Sequence, residues 1–174
     1  LSLLDKAQSL QPRDSYTWEL RGHALEMQGD ESQARQAFTT AVEKNPNYFS
    51  PYLARGVLLY KQGKKSEAKP DLEKSYKMLP TNTASYYLGE MASSAGDNQA
   101  ALGFYQQAAG TQTALGKDAQ QKLVRLELSQ APQKYLPAKV YIGSDGKLSV
   151  TVVNQSGINV SNVQVEVTEM KNAF

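Results

Sequence analysis

The sequence predicts a mostly α-helical solenoid of antiparallel helix pairs with a capping helix, followed by a small antiparallel β segment. Three observations predict it. Trp18, Gly22, Gly29, Ala34, Phe38, Ala41 and Pro46 recur as Tyr52, Gly56, Gly63, Ala68, Leu72, Ser75 and Pro80, each 34 residues further on, and a fixed period of that length marks stacked helical repeats. A third, irregular copy follows with Leu88, Gly89, Gly96, Ala101, Tyr105 and Ala108. After Pro137 the apolar period falls from 3.6 to 2, the change from helix to strand. With 174 residues, 40% of them hydrophobic, the chain has enough apolar material for a sizeable core.

Taken in order, the same register places Leu4 and Ala7 on the second helix of a half repeat spanning 1–14, whose first helix is missing. A solenoid repeat does not bury its apolar face alone, so the native protein is expected to extend N-terminally. Repeats at 15–48, 49–81 and 82–115 follow, and the third lacks one residue in its leading turn and has Ser85 where an aromatic is expected. Asp30 and Asp97 each follow a glycine and are positioned to cap the second helix of their repeats, with Gln33 at capping-box spacing from Asp30. Pro70 falls inside the second helix of the second repeat, where it removes a backbone hydrogen bond to Ser66. Ala119, Leu123 and Leu126, ahead of Pro132, predict a capping helix at 117–130 that closes a solenoid spanning 1–136. A small β module at 137–174 completes the chain. There Val140 and Ile142 lead into Ser144-Asp145-Gly146, a hairpin signal, and Leu148, Val150 and Val152 lead out of it. Val163, Val165 and Val167 predict a third strand, too few for an independent sheet, so either the module is truncated or its apolar face packs on the capping helix or on another chain.

The repeat pattern resembles the tetratricopeptide repeat family: a large residue at position 4, small ones at 8 and 20, a large apolar one at 24, a small one at 27 and Pro at 32. Two short helices must approach closely, so Gly and Ala sit where backbones meet and Phe38 or Tyr105 fills the gap. The stretch from Leu148 to Val167 resembles part of an immunoglobulin-like sandwich of bacterial envelope proteins. The repeat resemblance implies a concave groove lined by positions 2, 5, 9 and 12 of the first helices. These are Tyr16, Glu19, His23 and Glu26 in the first repeat, Ser50, Leu53, Val57 and Tyr60 in the second, and Thr83, Tyr86, Glu90 and Ser93 in the third. Chaperone-binding members hold a peptide carboxylate with Lys at position 5 and Asn at position 9. Here those places carry Glu19 and His23, Leu53 and Val57, Tyr86 and Glu90, so that clamp is absent. Apolar anchors among carboxylates suit a partner segment with apolar side chains and a basic flank.

Composition narrows the chemistry. No cysteine and a single histidine, His23, leave thiol catalysis, iron–sulfur ligation and His-based metal sites without parts. A formal charge of +2 creates no field that would recruit nucleic acid or an anionic membrane. Trp18 and Tyr52 sit at a core position, and Lys61, Lys64, Lys65 and Lys69 read as a solvated turn. No nucleophile-elbow, zincin, Walker or dinucleotide motif is present, so this chain is expected to be non-catalytic and without a cofactor.

The function expected is a protein–protein interaction scaffold that takes a peptide or partner segment in the groove. A second reading comes from resemblance. The run from Tyr86 to Ala109, with the helix and β segment behind it, is similar to the C-terminal region of envelope zinc metallopeptidases, whose HExxH domain precedes their repeats. It implies a catalytic domain upstream and a periplasmic or envelope setting. A third reading is a lipoprotein-type assembly factor. Self-association through the C-terminal β edge is expected from its unpaired strands.

Overall fold

The computed structural model describes residues 2–10, 14–144 and 147–165. Among them are eight α-helices and two β-strands: α1 (Ser2–Leu10), α2 (Ser15–Met27), α3 (Glu31–Lys44), α4 (Phe49–Lys61), α5 (Lys65–Met78), α6 (Asn82–Ser94), α7 (Asn98–Ala108), α8 (Ala114–Gln130), β1 (Ala138–Ile142) and β2 (Leu148–Val152). The chain divides into two compact units, Leu1–Gln120 and Gln121–Phe174.

In the first unit the helices pair as α2/α3, α4/α5 and α6/α7, each pair packed tightly within itself and against its neighbour. The repeat glycines explain the tightness. A Cβ on Gly22 would lie 2.5 Å from Phe38 Cδ1, and one on Gly56 or Gly89 would lie 2.9 Å from Leu72 or Tyr105. Ala34, Phe38, Ala68, Leu72, Ala101 and Tyr105 are essentially inaccessible to solvent, so the second helices press their small and large faces directly onto the first. Each pair turns through a glycine with positive φ, Gly29 at 81° being the first. The expected caps form: Asp30 accepts from the Gln33 amide at 3.1 Å and Asp97 from the Ala100 amide at 3.0 Å. Asp14 caps α2 through the Tyr16 and Thr17 amides.

α1 packs on α2, and Asp5 pairs with Arg21. Leu4 is partly buried while Leu3 and Leu10 are 82% and 74% exposed. The side chain of Ala7 lies outside the described residues. Pro70 sits within α5 on its exposed side, and the helix runs through it without a break.

The predicted capping helix begins three residues earlier than expected, at Ala114, where the Thr113 hydroxyl accepts from the Gly116 amide. The division between compact units falls within this helix and not at 136/137, because its last turns pair forward along the chain. Glu127 accepts from Lys134 Nζ at 2.7 Å and from the Tyr135 hydroxyl, around a 3-10 turn at Pro132–Lys134. In this second unit β1 and β2 form an antiparallel hairpin, with Val140 opposite Val150 and Ile142 opposite Leu148. The third strand expected around Val163 and Val165 is not formed in the described residues, which are unpaired there; Val167 lies outside them. Instead Asn154 turns the chain after β2, its side chain accepting from the Ser156 amide and donating to the Ile158 carbonyl.

Candidate functional site

α2, α4 and α6, the first helices of the three repeats, stand side by side in contact, α2 on α4 and α4 on α6. Helical spacing puts positions 5, 9 and 12 of each on one face. That face carries a cavity of about 270 Å³ bordered by His23 and Glu26 from α2, Leu53, Val57 and Lys61 from α4, and Thr83 from α6. Leu53 and Val57 are half-buried against the core cluster of Leu59, Leu72 and Leu88 and present an apolar floor. The walls are charged. Lys61 Nζ donates to Glu26 at 3.1 Å, tying α4 to α2.

Glu19 lies beneath this surface. It is 4% exposed, accepts from the Ser50 hydroxyl, and its Oε2 is buried without a hydrogen-bond partner. The expectation that Glu19 lines an open groove is therefore corrected in depth: it supports the groove from below. Burial works to raise its carboxyl, but hydrogen bonding with His23, Ser50 and Tyr48 outweighs this and holds it below the usual carboxylate range. Tyr48 is in turn pushed up to about 12 by burial and by that carboxylate. His23 stands between two acids, with Nε2 3.8 Å from Glu19 and Nδ1 3.7 Å from Glu26. Its imidazole is held above its ordinary value chiefly by Glu19, against desolvation, and its ring meets Phe38 edge-on at 5.0 Å.

The other expected groove residues are placed differently. Tyr16 is 56% exposed and borders a separate cavity with Asp14, Lys44 and Tyr48 at the start of α2. Tyr60 packs edge-on against Tyr87 at 5.0 Å, continuing the floor towards the third repeat. Tyr86 donates to Asp118 at 2.5 Å, and Glu90 accepts from the Tyr105 hydroxyl, so both are engaged within the solenoid. Burial and these acidic acceptors raise both phenols. Sequence reasoning missed Lys61 and Tyr48. Lys61 lies one residue past position 12 and Tyr48 just before α4, so neither falls on the groove register. Among the described residues no group of three His, Asp or Glu side chains could hold a metal ion, and no helix is long and apolar enough to cross a membrane.

Residues 53–119 match the family model described as tetratricopeptide repeat. Three solved structures share the fold across 75% of this chain. YrrB, described as a TPR protein with an unusual peptide-binding site, superposes with a TM-score of 0.65 at 17% identity, over 68% of its length. The MamA RS-1 ArsTM double mutant gives 0.60 at 22% identity, over 74% of its length. The APC/C hetero-tetramer Cut9-Hcn1 also gives 0.60 at 22% identity, and there the chain spans only 26% of the matched protein. No curated protein matches the sequence significantly.

Proposed function

We propose that this chain, whose residues 53–119 match the tetratricopeptide-repeat family model, is a non-catalytic scaffold that holds a partner segment on the face of α2, α4 and α6. The observation that carries this reading is the cavity with an apolar floor, Leu53 and Val57, and a charged wall, His23, Glu26 and Lys61, contributed by two successive repeats. The face extends through Tyr60 towards Tyr87 and the third repeat, with Glu19 supporting it from below. Glu26 on the charged wall, with the buried Glu19 and the Tyr105-bound Glu90 adding negative potential behind it, favours a basic flank on the partner, beside an apolar side chain that fills the floor. A rigid stacked array orders little on binding, so a few contacts suffice for specificity. The peptide-binding character of YrrB supports the reading by analogy of fold.

The test is selection of a random-peptide phage library on the full chain, followed by titration of synthesised binders. Peptides with Lys or Arg beside an apolar residue should emerge and should bind about tenfold more weakly to Glu26→Lys. Binders indifferent to that substitution, or the absence of any, would refute groove recognition. The β1 and β2 edges supply a second contact in this proposal, pairing with a second copy of the chain. The metallopeptidase-associated and envelope reading stands on sequence resemblance alone; the proteins matched in fold are not described as peptidases.

A further inference from the structure

A second cleft, of about 460 Å³, lies among α5, α6 and α7, with Leu88, Met91 and Phe104 on its floor and Lys65 and Lys69 on its rim. The repeat register allows the same place to be inspected one repeat earlier. There Leu88 corresponds to Arg55, Phe104 to Asp71 and Glu73 to Thr39. Those three residues bond to one another across the junction. Arg55 Nε and Nη2 donate to the Asp71 carboxylate at 2.6 and 2.7 Å, and Nη1 donates to Thr39 Oγ1 at 3.0 Å. The depression left above them is lined by Glu31, Ser32, Arg35, Gln62 and Lys64, polar without exception. Stacking two repeats therefore does not require an apolar floor, since the preceding junction carries a depression of about 440 Å³ with a wholly polar lining. The second junction has exchanged the ion pair for Leu88 and Phe104, and Gln62 and Glu67 for Ala95 and Ala100, which makes the floor of the cleft apolar.

The rim says what kind of partner fits. Lys65 Nζ donates to the Ser94 hydroxyl at 3.2 Å and lies 5.3 Å above the Tyr60 ring, with no carboxylate partner among the described residues. Lys69 is 3.7 Å from Glu73 with both side chains more than half exposed, a pair worth little in water. The Asp97 carboxylate is engaged in capping α7.

We propose that this cleft is a second docking site, for an acidic partner segment that seats a large apolar side chain on Leu88, Met91 and Phe104 and sets a carboxylate against Lys65 and Lys69. The groove of α2, α4 and α6 selects a basic flank and this cleft an acidic one, so one segment does not satisfy both and the chain joins two unlike partners. The acidic docking site stands independently of groove binding; the joining of two unlike partners rests on that reading.

The experiment is the same random-peptide selection on the full chain, with affinities read by fluorescence anisotropy. A distinct class of binders carrying Phe, Leu or Met within three positions of Asp or Glu is expected. Lys65→Glu with Lys69→Glu should weaken that class about tenfold or more. Ala100→Glu should do the same by placing a carboxylate in the cleft. It occupies the third residue of α7, where Glu suits a helix start capped by Asp97 and where the preceding repeat already has Glu67, so the fold is retained. Glu26→Lys should leave this class unchanged. The absence of the class, its survival in either cleft variant, or its loss in Glu26→Lys would overturn the proposal.

Discussion

Gly22 meets Phe38 so closely that a methyl group has no room, while Gly29 is surrounded by open space and is held only by its φ of 81°. The two positions separate steric from backbone cost. Gly22→Ala should lose about 1–3 kcal/mol by overpacking a ring that has no space to retreat, whereas Gly29→Ala should lose about 1 kcal/mol through backbone strain alone; urea unfolding of both variants measures the difference. His23 gives a pH signature. Its folded-state value is raised by Glu19 and Glu26, so its stabilising contribution is complete below the ordinary imidazole value near 6.5 and is lost as pH rises through the raised one. Thermal melts across that window should show the chain losing stability relative to His23→Gln by less than about 1 kcal/mol, since the side chain is half-exposed and screened. A flat difference would place the imidazole outside the Glu19–Glu26 interaction. Both glycines were legible in the sequence because the 34-residue period fixes them. The burial of Glu19 was not, because helical periodicity gives the face of a residue and not its depth beneath Ser50.

At the scale of elements, α4 and α5 are locked by Arg55 and Asp71, and α6 and α7 by Leu88 and Phe104 at the equivalent places. Arg55→Leu alone should cost about 3 kcal/mol by leaving a largely buried Asp71 carboxylate unpaired. Adding Asp71→Phe should recover most of that loss, because the third repeat already carries this solution; calorimetry of the single and double variants decides. Pro70 lies on the exposed side of α5 with no visible packing role, so Pro70→Ala should raise the melting point, by about 1 kcal/mol or more of stability. A lower melting point would show that the fold depends on the proline. The helix pairs could be read from sequence because caps, glycines and prolines recur at set offsets. The Glu26–Lys61 link joins residues 35 apart, and no local spacing announces it. The third strand was overread: alternating valines at 163 and 165 indicate strand propensity, but a strand needs a partner, and none faces them among the described residues.

At the scale of the whole molecule, the hairpin of β1 and β2 leaves Val140, Tyr141, Ile142, Leu148 and Val150 between 39% and 63% exposed, with two unpaired outer edges among the described residues. Such edges pair with other chains, so sedimentation should show self-association that grows with concentration and is largely removed by deleting residues 138–174, with the helical circular dichroism retained. A monomer at high concentration, or loss of helix on deletion, would mean that the strands are an integral part of the helical core. The central claim, recognition on the face of α2, α4 and α6, is tested most directly by a spin-labelled, basic-flanked peptide binder added to isotopically labelled chain. Paramagnetic broadening of amide signals should centre on His23, Glu26, Val57 and Lys61 and fade towards α3 and α5. Broadening centred on any other face would contradict the account.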